Sequence, residues 1–452
     1  MSFGLDLQTE TDLNIFPLIM GDVSVLGFYD RTTTRGGSDA LEHLMRTPTD
    51  NVDQLEYRVS AIKFILDNSF CFELDRKKLY AIELYLNLNI PVLRDNFIDS
   101  CAHWLNNQLQ VSNEYNLIAR GVEFLRDHLL NLSNIVDSLA KYDLPPFFIQ
   151  LKEEVEAVQN APEFNSFLKP NLKQVTFRHV SRLDGLIRKQ EKERISNLLK
   201  LTDLLDAFAS VAEIARNKGL SFAKISASPK PLLRIENLFH PLLEEPVLNS
   251  IALNENSNLC FVSGANMAGK STFLKTVGLC IFLAHIGFPV PASAMETSVF
   301  SGLYSTINIS DSIYKGYSHY YSEVRRVKEI ALKIKEKKKV FVIFDELFRG
   351  TNVKDAFDAT LLITSKFAEI RSSLFFISTH IVEVCQELVK LQNITFKQLE
   401  SILEGDTPVY SYKLKDGISS ERVGLTIVKN EKILEIIEEI VQGESQLAPV
   451  QT

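Results

Sequence analysis

The sequence predicts a multidomain protein: an N-terminal all-α domain over residues 1–228, a C-terminal α/β domain built on a phosphate-binding loop over 229–441, and a flexible tail over 442–452. Three observations predict it. Apolar residues recur at helical spacing up to about Ala223. Beyond Ser226–Pro231, which reads as a linker, short apolar strands alternate with helical segments. One of those strands runs into Gly264-Ala265-Asn266-Met267-Ala268-Gly269-Lys270-Ser271, the spacing of a glycine, four residues and Gly-Lys-Ser that cradles phosphate.

In the first domain, Leu79, Ile82, Leu84, Leu86 and Leu88 cluster, and Leu198, Leu199, Leu201, Leu204, Leu205 and Phe208 recur as the stripe of a helix facing a bundle core. Pro145-Pro146, Pro162 and Pro170 break the helices. The mixed-sign run from Arg188 to Arg194 reads as a solvated helix face. In the second domain, Leu259–Ser263, Val340–Phe344 and Ser373–Ser378 read as buried strands of a parallel or mixed sheet covered by helices.

With 45% hydrophobic and 23% charged residues among 452, the chain is long and apolar enough for a sizeable core. A net charge of −8 confines any nucleic-acid contact to a local basic patch. The five cysteines, Cys71, Cys101, Cys260, Cys280 and Cys385, are scattered without a C-x-x-C, against a disulfide framework or zinc site and in keeping with a reducing cytosol. Asp6, Glu10 and Asp12 replace the basic start of a signal peptide. The apolar stretch from Val277 to Ile286 is too short, and too interrupted by His285, to span a bilayer. A cytoplasmic protein without membrane contact is expected.

The chemistry concentrates in the second domain. Thr272–Val277 opens a helix directly after the loop, so backbone N–H groups and the helix dipole converge on one point where polyphosphate binds. Lys270 reaches the β- and γ-phosphates there, and the Ser271 hydroxyl binds Mg²⁺. The strand Val340–Phe344 ends in Asp345-Glu346. Asp345 suits the Mg²⁺ shell, and Glu346 suits accepting a proton from the attacking water or orienting it. A third strand ends in Ser378-Thr379-His380, which places His380 to sense the γ-phosphate or position water. The Gly316-Tyr317-Ser318 loop before a helix has N–H groups and a hydroxyl suited to phosphate. Lys333–Lys339 reads first as a solvated helix end.

The order and spacing of these elements resemble the MutS family, the DNA mismatch-repair ATPases of the ABC class. Gly264–Thr272 resembles the family's G-P-N-M-G-G-K-S-T, with Asn266 and Met267 in register. Asp345–Thr351 resembles D-E-I-G-R-G-T, Ser378-Thr379-His380 resembles A-T-H, and Asp311–Tyr320 keeps Asp311, Gly316 and Ser318 of D-D-x-x-x-G-x-S-T-F. Phe239-His240-Pro241, Gly287–Ala292, Leu26–Gly37 and Asp203–Ala212 match further landmarks, the last two at the start of the helical core and the return of the lever helix.

The resemblance implies ATP hydrolysis with Mg²⁺ in a homodimer, each site taking Lys270, Ser271, Asp345, Glu346 and His380 from one subunit and Ser318, capping the γ-phosphate, from the other. It implies duplex or branched DNA as partner, gripped by lever arms that ATP moves. Departures shape the expectation. The similarity begins at the core domain, so a short member without mismatch-binding and connector domains is expected, and the family's Phe-x-Glu wedge has its only counterparts at Phe344-Asp345-Glu346 and Phe367-Ala368-Glu369. Phe348 stands for a glycine, Asn352-Val353 for Ser-Thr, and Pro246 for the adenine-stacking Phe. Little sequence follows the ATPase domain, so a C-terminal dimerisation element is not expected. A clamp in repair or recombination without intrinsic mismatch recognition is the leading expectation; a mismatch-repair component relying on a partner, or a switch for a protein partner with no DNA role, are the alternatives.

Overall fold

The computed structural model describes residues 3–19, 21–70, 72–93, 113–165, 167–168, 177–265, 267–307, 319–337, 339–404, 407–419 and 432–447. In chain order its helices are α1 (Leu7–Asp12), α2 (Val25–Tyr29), α3 (Arg35–Arg46), α4 (Val52–Asp67), α5 (Arg76–Leu86), α6 (Asn113–Leu139), α7 (Pro146–Gln159), α8 (Pro162–Asn165), α9 (Phe177–Gly185), α10 (Lys192–Lys218), α11 (Lys270–Ile286), α12 (His319–Lys337), α13 (Val353–Ala368), α14 (Val382–Leu388) and α15 (Ile433–Leu447). A π-helical turn, Leu186–Gln190, follows α9. The strands are β1 (Ala223–Ser226), β2 (Leu232–Leu238), β3 (Asn249–Asn254), β4 (Leu259–Gly264), β5 (Ala294–Ser298), β6 (Leu303–Thr306), β7 (Phe341–Asp345), β8 (Leu374–Thr379), β9 (Ile394–Glu404) and β10 (Thr407–Asp416). The chain divides into two compact units, one of residues 1–28, 48–52 and 219–452, the other of 29–47 and 53–218.

The first unit is α/β. Its six-stranded sheet runs β10-β9-β4-β8-β7-β6. All neighbours are parallel except β10 and β9, which form an antiparallel hairpin. The apolar runs of β4, β7 and β8 are buried because parallel strands covered by helices have no solvent face. Stacked Phe344, Phe367 and Phe375 fill one side of this sheet. A second, four-stranded sheet runs β1-β5-β2-β3.

This division departs from a cut at 228/229. β1 already pairs with β5 inside the α/β unit, so the expected linker at Ser226–Pro231 is a turn within it. The N-terminal segment also belongs there. Buried Asp12 accepts hydrogen bonds from Ser305 Oγ (2.6 Å) and the Ile307 N–H (2.9 Å), and Thr9 Oγ1 accepts from the Ser305 N–H (2.9 Å). Arg326 on α12 donates to Asp6 (2.6 Å) and the Ser305 carbonyl (2.6 Å), tying α1 to the sheet edge. At the other terminus, α15 continues to Leu447, into the stretch expected to be a flexible tail.

Among its described residues, the regular elements of the second unit are helices joined by loops. Asp206 on α10 accepts from the N–H groups of Thr33 and Thr34 and from Thr34 Oγ1, anchoring the segment that enters α3. Of the leucines on α5, Leu79 and Leu86 are buried with Ile82, whereas Leu84 is exposed. Arg188 is not a solvated group. Its guanidinium pairs with buried Asp184 (2.6 Å) and donates to the Ile90 carbonyl (2.9 Å), while Asp184 also accepts from the Tyr85 hydroxyl and the Leu93 N–H. A buried carboxylate needs such partners, and they draw the arginine inward.

Candidate functional site

The ends of β4, β7 and β8 meet on one edge of the sheet, in register: Ser263 lies beside Thr379, and Asp345 beside Ser378. In an open α/β sheet this C-terminal edge is where ligands bind. The chain leaves β4 through Gly264 and turns into α11 at Gly269, whose φ of 95° is left-handed. A side chain there would be strained, and its Cβ would lie 3.1 Å from the Tyr412 ring. Met267 is also left-handed (φ 68°) and exposed, and Ala268 is buried. Ser271 and Thr272 are exposed at the opening of α11, a helix buried over most of its length.

Lys270 is 5% exposed, and its ammonium folds back onto the loop, donating to the carbonyls of Gly264 (2.9 Å) and Ala265 (3.1 Å). Burial lowers its pKa, opposed by the carboxylates of Glu346 and Asp345. Glu346 Oε1 lies 3.8 Å from Lys270 Nζ; its Oε2 lies 3.3 Å from Arg349 Nη1 and 3.9 Å from His380 Nδ1. Asp345 accepts a hydrogen bond from the Ser378 hydroxyl, and the nearby Ser271 hydroxyl also favours its charged form. Burial nevertheless raises its pKa, and the adjacent charge of Glu346 adds to the rise. The Glu346 N–H donates to Ser378 Oγ (3.1 Å), so one serine ties both acidic residues to β8.

Lys270, Ser271, Asp345, Glu346 and His380 therefore converge, although His380 remains half exposed. Ser318 and Asn266 lie outside the described residues, as do Asp311 and Gly316.

A cleft of about 830 Å³ opens beside the loop, lined by Met267–Phe273, Glu346 and Arg349 together with Phe239, His240, Glu244, Glu245, Pro246, Asn249 and Tyr412. Burial holds the His240 imidazole down to about 4, helped by the Lys275 charge. Tyr412 is the residue sequence reasoning missed. It sits in a β-bulge between Tyr410 and Leu414, with φ 53°, and bulges re-aim side chains. Asn249 holds the bulge by donating to the Tyr412 carbonyl (3.0 Å) and accepting from the Leu414 N–H (2.8 Å). No local sequence signal marks this pairing, because β3 and β10 lie far apart in the chain. Arg349 lies in the Asp345–Thr351 segment, and its contact with Glu346 spans three residues across the turn.

The arrangement offers a buried cation, the N–H groups of a helix start and two hydroxyls to an anion, with two carboxylates opposite. These groups lie on one edge of the sheet of an α/β unit. Residues 260–448 match the family described as MutS domain V. The chain is 24% identical over 371 residues to MutS protein homolog 4 of Mus musculus, covering 78% of this chain and 38% of the relative. It is 28% identical over 261 residues to the DNA mismatch repair protein MutS of Petrotoga mobilis, covering 57% and 31%, and over 241 residues to that of Persephonella marina, covering 52% and 27%. The chain thus spans less than two-fifths of the length of these relatives. Among the described residues no helix is long and apolar enough to cross a membrane, and no cluster of His, Cys, Asp and Glu suits a metal ion.

Proposed function

We propose that this chain binds and hydrolyses ATP with Mg²⁺ and uses the cycle as a switch in a dimeric, MutS-like DNA clamp. The observation that carries the reading is the meeting of Lys270 with Glu346 at 3.8 Å beside the Ser271–Asp345 pair, on the rim of a cleft large enough for a nucleotide. The oxygens of Ser271 and Asp345 form the hard donor set that Mg²⁺ prefers. Bound there, Mg²⁺ would neutralise charge between the phosphates. Lys270 and the N–H groups of Gly269 to Thr272 hold the polyphosphate. Glu346, with cations on both sides, accepts a proton from the attacking water or orients it, and His380 positions that water or the γ-phosphate. Catalysis is then chiefly positioning and electrostatic stabilisation.

The family resemblance supports Ser318 of a second copy as the cap on the γ-phosphate. Lys270→Ala should abolish nucleotide binding, and Ser318→Arg should abolish hydrolysis. Mixing the two variants should restore activity, because each mixed dimer holds one intact composite site. Full activity of Ser318→Arg alone would sink the shared-site reading.

The names of the relatives support DNA as the partner. These 452 residues carry no Phe-x-Glu string outside the α/β domain, so the proposed clamp grips phosphates without reading mismatches. The net charge of −8 favours a second reading, a switch for a protein partner. A steep fall of DNA affinity with salt supports the first reading, since phosphate neutralisation releases counterions; absence of DNA binding at low salt supports the second.

A further inference from the structure

The turn after β7 is held in an unfavourable conformation from outside. Glu346 (φ 55°) and Phe348 (φ 62°) both sit in the left-handed region that disfavours side chains. Phe348 occupies its position because its ring is buried, 2% exposed, with its centroid 5.9 Å from that of Tyr320 on α12. The next residues touch the same helix. A Cβ on Gly350 would lie 2.5 Å from the Tyr320 nitrogen, so only glycine fits this approach. The remaining contact is charged. Glu323, one turn into α12 and 5% exposed, accepts from the N–H of Arg349 through Oε1 (3.3 Å) and from the N–H of Gly350 through Oε2 (3.4 Å), and Oε1 lies 3.4 Å from His319 Nδ1. Burying a carboxylate is costly unless N–H groups meet it. Here both oxygens are spent on one turn.

We propose that Glu323 is a positioning residue for Glu346: its carboxylate grips the Arg349 and Gly350 N–H groups, fixing the turn that aims Glu346, so that the first turn of α12 and the hydrolytic carboxylate move together. Glu323 also faces Thr306, Ile307 and Asp345 across a small cavity, and so stands between the start of α12 and the edge of the site without touching the cleft. A displacement of α12 at its start is thereby transmitted to Glu346, while Lys270 and the loop, carried by β4 and α11, stay in place. The proposal rests on the reading of Glu346 as the group that activates water.

The experiment measures steady-state hydrolysis and nucleotide affinity for Glu323→Gln and Glu323→Ala, each in the native chain and with Glu346→Gln. Glu323→Gln keeps one acceptor and should lower kcat about tenfold, about 1.4 kcal/mol of transition-state stabilisation. Glu323→Ala should lower kcat further. Nucleotide affinity should stay within about twofold in both, which also shows that the variants fold. In the Glu346→Gln background neither change should reduce the residual rate further, because the route through Glu346 is already gone. An undiminished kcat in Glu323→Ala would overturn the proposal, as would an equal further loss in the Glu346→Gln background or a matching loss of nucleotide affinity, each the mark of a general structural role. Absence of hydrolysis by the native chain would instead remove the ATPase reading, and the proposal with it.

Discussion

Asp12→Ala tests whether the N-terminal segment is part of the α/β unit. Asp12 is 1% exposed, and one of its oxygens accepts from Ser305 Oγ at 2.6 Å and the Ile307 N–H at 2.9 Å. Its other oxygen accepts from Gln8 at 2.9 Å. Alanine leaves two buried donors at the end of β6 without this acceptor. Each hydrogen bond to a charged group contributes about 1.5–3 kcal/mol, and a stranded buried donor costs about 1–3 kcal/mol. Relaxation of α1 recovers part of this, so a loss of about 3 kcal/mol is expected. For a unit of this size, about 2–4 °C per kcal/mol puts the fall in Tm at roughly 6–12 °C. Asp12→Asn keeps one acceptor and should lose about half as much. The assays are thermal unfolding and amide hydrogen exchange, the latter with faster exchange confined first to residues 303–307 and α1. A Tm within a degree of the native value, with unchanged exchange at β6, would refute the docking argument.

The remaining predictions concern charge, the cleft and DNA. Burial, with Glu83, Asp206 and Asp39 adding, pushes the Asp203 carboxyl up to about 7 from 3.8. A raised folded pKa favours the folded state below pH 3.8 and loses that contribution as pH rises toward 7. Asp203→Asn should therefore stabilise the helical unit at pH 8 relative to the native chain, with the gain shrinking at pH 4.5; a gain independent of pH in thermal unfolding would contradict this. Tyr412→Ala should weaken nucleotide binding about tenfold while Tyr412→Phe changes it little, as base stacking on an aromatic contributes about 1–3 kcal/mol; equal affinities in a fluorescence titration would remove Tyr412 from the site. Matched and single-mismatch duplexes of one length should bind this chain within about threefold of each other at two salt concentrations, a difference under about 1 kcal/mol. A tenfold preference for the mismatch would overturn the proposed absence of mismatch reading.

Much of the site was legible because its signals are local. The loop after β4 has glycine at a left-handed position and a lysine beside it, and the apolar runs of β4, β7 and β8 end in the polar residues that the sheet brings into register. The rest depends on contacts between distant residues. Asp12 and Ser305 are 293 residues apart, so nothing near residues 1–28 announces that they complete the α/β unit. Tyr412 reaches the cleft only through a bulge held by Asn249, 163 residues away. Arg188 reads as one charge among several until its pairing with buried Asp184 is known. Phe348 reads as a departure from a glycine pattern, and the pocket at Tyr320 that stabilises it comes from a separate helix.

The most direct test of the central claim is ATP binding and hydrolysis by Glu346→Gln beside the native chain. Glutamine keeps the size of Glu346 and its place near Lys270 while removing the base. Nucleotide affinity should be retained with Mg²⁺ present, and hydrolysis should slow by roughly 10²–10⁴-fold, the scale of a lost general base. Hydrolysis at the native rate by Glu346→Gln would contradict the account.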